Sequence, residues 1–184
     1  MYDDYMKQPA IFVDRDGTII HQVDVLIDPS QLELYSDAAT AIANLKKRGF
    51  LMIGITNQPI IEKGLLTLDG LKKIHDMLQA HLAAAGGRLD AIYTCPHQYR
   101  AEGQCECRKP GLKLIKDAQA DFDIDMERSW FIGDRLRDVE TGRRANLKTI
   151  LVKTGGESKD DDFFPDAIPD YTAETLSEAA AFIK

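Results

Sequence analysis

Residues 50–55 read Phe-Leu-Met-Ile-Gly-Ile, an apolar run with no alternation. A strand that is apolar at every position is covered on both faces, and such strands belong to parallel sheets flanked by helices. Two parallel neighbours cannot be joined by a hairpin; they need a crossover of a dozen or more residues, usually helical. The rest of the chain has this form. Shorter strand-like runs fall at about 10–13, 91–94, 130–132 and 149–152. Between them, Ala38, Ile42 and Leu45 recur at helical spacing, as do Leu71, Ile74, Leu78 and Leu82. The alternation predicts an α/β fold with a mostly parallel central sheet.

Helix boundaries are readable in part. Ser36 is the expected N-cap of a helix over about 37–48, with Gly49 as its stop. Thr67 caps the next helix, a further helix covers about 111–121, and Thr175-Leu-Ser-Glu178 matches a capping box for the last. His75 and His81 fall off the apolar stripe of their helix and read as solvated surface residues. Residues 155–170, rich in Gly, Pro and acids, read as a long surface loop.

In open α/β sheets ligands bind at the carboxyl ends of the strands. Three of the expected strands end in polar residues there: Asp14 and Asp16, Thr56-Asn57, and Gly133-Asp134. Two carboxylates one residue apart repel each other unless a cation or a shared proton intervenes. A carboxylate held at a strand end can attack phosphorus, and a second can pass a proton to the leaving oxygen. Phosphoryl transfer also needs donors and cations around the phosphoryl oxygens. Thr56, Asn57 and Lys109 supply these, and Asp134 supplies an oxygen for Mg2+. The expected chemistry is metal-assisted phosphate-ester hydrolysis.

The three cysteines lie within 13 positions, Cys95, Cys105 and Cys107, which is no disulfide framework. With His97 they form a Cys3His set for tetrahedral Zn2+; four protein ligands leave no open position, so the expected role is structural. The loop runs straight into Arg108-Lys109-Pro110, so fixing it would place Lys109 and aim Arg108 at a substrate.

Asp14-Arg-Asp16-Gly17-Thr18, Thr56-Asn57, Lys109-Pro110 and Gly133-Asp134-Arg-Leu-Arg-Asp138 together resemble the four ordered motifs of the haloacid dehalogenase superfamily. The resemblance covers residues 11–138. It implies a Rossmann-like three-layer fold with a minimal cap, so that loops on the core shape the pocket. It implies Asp14 as nucleophile and Asp16 as general acid and base. Thr56 and Lys109 would hold the transferring phosphoryl group, and Mg2+ would be bound by Asp14, the Asp16 backbone carbonyl and Asp134. Asp138 either supports the metal shell or sits in the first turn of a helix, where an acid is favoured.

The full pattern is similar to the branch that holds the D-glycero-D-manno-heptose 1,7-bisphosphate phosphatases. The histidinol-phosphate phosphatases of the same branch are the alternative. Seven residues between His97 and Cys105, and Pro59-Ile60 where the heptose enzymes usually carry Ser-Gly, leave both open. In the heptose enzymes the residue after the fourth-motif aspartate is a basic substrate contact; Arg135 stands there and would meet a distal phosphate. Arg137, Arg143 and Arg144 read as a solvated helix face. Two readings of other classes are a phospho-receiver domain, which has no use for a proton-donating Asp16, and a zinc-stabilised interaction module without turnover.

Composition sets the remaining expectations. The 184 residues are enough for one domain, 1–184, with a sizeable core. A formal net charge of −7 argues against broad binding to nucleic acid or anionic membranes. No apolar run approaches the roughly 20 residues that span a bilayer, and Met-Tyr-Asp-Asp-Tyr does not open like a signal peptide. The expectation is a cytoplasmic monomer acting on a small phosphorylated metabolite.

Overall fold

A computed structural model describes residues 7–100, 102–156 and 163–184. Six parallel strands form one sheet: β1 (Gln8–Val13), β2 (Leu51–Asn57), β3 (Ala91–Cys95), β4 (Ile124–Gly133), β5 (Lys148–Val152) and β6 (Tyr171–Ala173), in the order β3-β2-β1-β4-β5-β6. The helices are α1 (Ala38–Lys47), α2 (Leu68–Ala83), α3 (Lys113–Asp121), α4 (Leu136–Arg144) and α5 (Leu176–Phe182). The N-terminal pentapeptide and part of the expected 155–170 loop lie outside the described residues.

Strand side chains alternate between faces, and the sheet has a core on each side. Ile11 and Val13 pack with Met52, Ile132 and residues of α1, α2 and α5. Phe12 packs on the other face with Ile53, Ile55, Phe131 and Leu114 and Ile115 of α3. This is the three-layer α/β arrangement that the unbroken apolar runs require. No helix among the described residues is long and apolar enough to cross a membrane.

Several local expectations are corrected. Ser36 is not the N-cap of α1; Asp37 holds that place, and its carboxylate caps no α1 amide but accepts from Ser177 N at 2.7 Å, tying α1 to α5. Strand β4 begins six residues before Trp130, because its first half carries exposed Glu127 and Arg128 and lacks the apolar signal. A register shift sits there, bridged by Ala10 N donating to Ser129 Oγ at 2.8 Å. Strand β6 is three residues long, too short to show alternation in the sequence. Thr175 does cap α5, accepting from Glu178 N, but Glu178 returns its carboxylate to Glu174 N rather than to Thr175.

Candidate active site

β1 lies between β2 and β4, so the polar residues at these three strand ends meet. The Asp14 amide still continues the ladder, donating to Ile132 O at 2.9 Å, and the chain then turns. Gly17, at φ +83°, makes the turn, and its amide returns to Ile20 O at 2.8 Å. Asp14, Asp134 and Asp138 are all buried, and one carboxylate oxygen from each falls in a cluster within 4.8 Å. Lys109 Nζ enters from the loop after β3, 2.8 Å from Asp14 Oδ1 and 2.7 Å from Asp138 Oδ1. Asp138 joins the cluster through its first-turn position in α4, where its other oxygen accepts from Arg135 N at 3.1 Å.

The charges are unbalanced. Burial raises Asp14 to about 6; Asp138 and Asp16 add to the rise, and Lys109 opposes it. Burial raises Asp134 further, to about 8, with Asp14 and Asp138 contributing. Burial works to lower Lys109, but Asp138 and Asp14 overcome it and hold the ammonium charged. Three buried carboxylates around one ammonium fit a divalent cation, whose charge would bring both raised groups down again.

Asp16 sits beside this cluster and keeps some exposure, 19% of its side chain. Gln58 Nε2 donates to its Oδ2 at 2.7 Å, and Arg15 donates through Nε and Nη2 at 3.1 and 2.9 Å. Thr56 Oγ1 lies 3.4 Å from the same Oδ2. Asn57 Oδ1 accepts from Lys109 N at 3.1 Å, while its buried Nδ2 has no hydrogen-bond partner among the described residues. These groups line a polar cavity of about 230 Å³, whose wall also includes Gln22, Asp24 and Arg108. A second, more apolar cavity of about 320 Å³ adjoins it, with Tyr99, Phe163 and Phe164 in its wall. Arg108, Lys109 and Arg137 line both.

The cysteine loop arrives beside this site. Cys95, His97, Cys105 and Cys107 present donor atoms within 4.8 Å of one another. The sulfur pairs stand 3.0, 3.5 and 3.6 Å apart, too far for disulfides. A tetrahedral ion with sulfur at about 2.3 Å would space its ligands by about 3.8 Å. Burial pushes the Cys95 thiol up, whereas Cys105 falls to about 6, where the Arg108 amide and the neighbouring ligand groups outweigh its own burial. A collapsed set of soft donors with one thiolate already favoured fits a metal ion. Arg108 Nη1 donates to His97 O at 3.1 Å, which ties the loop to the cavity.

Other sequence readings land elsewhere. Arg135 turns its guanidinium inward: Nε pairs with Asp134 Oδ2 at 2.9 Å, and the terminal nitrogens donate to Gly156 O and Gly155 O at 2.6 and 2.9 Å. Arg137, expected on a solvated face, is half-buried and is the arginine of α4 that reaches both cavities. His75, expected at the surface, is half-buried against Arg15, whereas His81 is exposed as read. Arg143 and Arg144 are exposed and pair with Glu140. Gln58, Arg15 and Thr18, whose hydroxyl lies 3.4 Å from Asp134 Oδ1, were not singled out. The signal available was position: Arg15 and Thr18 lie inside the first motif, and Gln58 directly follows the second.

Acids at the carboxyl ends of adjacent parallel strands, with a buried lysine among them, define a phosphoryl-transfer hydrolase, and comparison with known proteins agrees. The HAD-hydrolase-like family model matches residues 106–179. The D-glycero-beta-D-manno-heptose-1,7-bisphosphate 7-phosphatase of Pasteurella multocida is 32% identical, across 95% of this chain and 96% of that protein. The D-glycero-D-manno-heptose-1,7-bisphosphate 7-phosphatase of Thermosynechococcus vestitus is 34% identical over 97% and 96%. Among solved structures, D,D-heptose 1,7-bisphosphate phosphatase from B. bronchiseptica, crystallised with magnesium and phosphate, superposes with a TM-score of 0.82 at 29% identity, covering 95% of this chain and 97% of that one. The chain therefore belongs to the haloacid-dehalogenase-like hydrolases, within the phosphatase family of these heptose-bisphosphate enzymes.

Proposed function

We propose that the chain hydrolyses the 7-phosphate of D-glycero-D-manno-heptose 1,7-bisphosphate, through a phosphoaspartate and with Mg2+. The observation that carries the chemistry is the buried Asp14–Lys109 pair, 2.8 Å apart, opening on a cavity with Asp16, Thr56 and the unpartnered Asn57 amide. The full-length similarity to enzymes named for that substrate carries the specificity.

An Asp14 carboxylate oxygen attacks phosphorus, the bond to the sugar oxygen breaks, and Asp16 gives that oxygen its proton. Water then attacks phosphorus, Asp16 takes the water proton, and the bond to Asp14 breaks, releasing phosphate and restoring both acids. Lys109 holds the phosphoryl oxygens by charge, and Thr56 and Asn57 by hydrogen bonds. Asp14, the Asp16 carbonyl and Asp134 would hold Mg2+, which when bound would supply positive charge against the phosphoryl oxygens. Cys95, His97, Cys105 and Cys107 would hold Zn2+, and so fix the loop that presents Arg108 and Lys109. The same reading takes residues 1–184 as one domain, a monomer acting in the cytoplasm on a small phosphorylated sugar.

Asp14→Asn tests the nucleophile. It removes one charge from a crowded cluster, so the fold should hold, while turnover should fall by at least about a thousandfold. Activity near wild type would remove Asp14 from this role. A panel of phosphate esters compared by kcat/KM tests the substrate. The heptose bisphosphate should lead histidinol phosphate; the reverse order would move the chain to the other activity of the branch.

A further inference from the structure

Asp16 is fixed by more than the motif that contains it. Arg15 is 1% exposed, so a charged guanidinium is buried and needs acceptors on every side. Its Nε and Nη2 clamp the Asp16 carboxylate at 3.1 and 2.9 Å. The remaining terminal nitrogen, Nη1, lies 3.2 Å from His75 Nε2. Guanidinium nitrogens only donate. The imidazole must therefore be neutral, with its proton on Nδ1 and the Nε2 lone pair toward Arg15. Its surroundings enforce this, since burial and the Arg15 charge together lower His75 to about 4. His75 stands four residues after Leu71 and three before Leu78, so a polar side chain is turned toward the core beside the apolar stripe of α2.

We propose that His75 is a positioning residue: as a neutral acceptor on α2 it locks the Arg15 guanidinium, and through it the carboxylate of Asp16, in the orientation needed for proton transfer. The inference rests on the reading of Asp16 as the proton donor. Gln58 holds one Asp16 oxygen from the β2 side at 2.7 Å, so Asp16 is clamped from two directions. Without the acceptor, the planar fork of Arg15 can rotate and release the carboxylate.

The test separates proton donation from general damage. A departing sugar alkoxide needs the proton; p-nitrophenolate leaves as a stable anion. For His75→Phe, the first turnover on the heptose bisphosphate should slow by about tenfold or more, with KM within about twofold, while the p-nitrophenyl phosphate burst changes by less than about threefold. His75→Gln, whose amide oxygen takes the place of Nε2, should recover most of the loss. His75→Ala replaces the phenylalanine variant should that fail to fold. Equal losses on both esters, or no recovery in His75→Gln, overturn the proposal. Asp16→Asn is measured alongside. Were it to slow both esters equally, the proton-donor reading would fall and the proposal with it; were it to discriminate while His75→Phe does not, the proposal alone would fall.

Discussion

Asp134 fits only because two glycine backbones make room for it. A Cβ on Gly17 would stand 2.4 Å from Asp134 Oδ2, and one on Gly155 would stand 1.7 Å away. Gly17 also holds φ +83°, which costs an L-residue roughly 1 kcal/mol before any clash. Gly17→Ala should therefore lose about 2 kcal/mol or more in urea unfolding and displace the Asp134 carboxylate. The magnesium concentration giving half-maximal activity should rise about tenfold, the equivalent of ~1.4 kcal/mol. An unchanged magnesium titration would show that Gly17 does not shape the metal site. At this scale the position of the acids was legible in the sequence, because an apolar strand ending in Asp-x-Asp-Gly places carboxylates at the sheet edge. Their partners were not. Nothing local to His75 or Arg137 says that a strand end 60 or more residues away completes its environment.

The loop from β3 to α3 is long and carries almost no regular structure, yet it places the site's one buried lysine. Its attachments include the Cys95–His97–Cys105–Cys107 cluster, hydrogen bonds from Arg108 Nη1 to His97 O and from Lys109 N to Asn57 Oδ1, and contacts of Gln98 and Arg100 with Glu62. If the ion were removed, the buried sulfurs would lose the charge that keeps them together. Treatment with a zinc-selective chelator, followed by magnesium readdition, should lower the melting temperature by several degrees. It should also cut kcat, because Lys109 loses its anchor. Metal analysis should find one zinc per chain before treatment. Full activity after complete zinc loss would uncouple the loop from catalysis. The unbroken apolar run of β2 and the helical period of α2 were legible to within a few residues. The first half of β4 and all of β6 were not, since one is exposed and bent at a register shift and the other is too short to show alternation.

Stability and function meet across the whole molecule at the acid cluster. Folding buries Asp14, Asp134 and Asp138 around a single Lys109, in a chain that already carries a net charge of −7. Folded Asp14 and Asp134 bind protons more tightly than their unfolded reference of 3.8, at about 6 and about 8. Between those values the folded state holds more protons than the unfolded one, so stability falls as pH rises. The metal-free protein should thus lose stability from about pH 4 through pH 8, most of it above pH 6 coming from Asp134. Mg2+ bound to the assembled cluster and not to the unfolded chain should reverse this, adding about 2.7 kcal/mol at a concentration one hundred times its Kd. Asp134→Asn separates the two effects. It removes the carboxylate with the highest pKa and relieves its neighbour, while Arg135 keeps the carbonyls of Gly155 and Gly156 as acceptors. The variant should melt at or above the wild-type temperature without metal at pH 8, with a flatter pH profile, and should gain little from Mg2+. Calorimetry across pH, with and without Mg2+, reads both quantities. A variant that is less stable without metal, or is still stabilised by Mg2+ as strongly as wild type, would mean that Asp134 is held by its protein partners rather than kept in reserve for the ion.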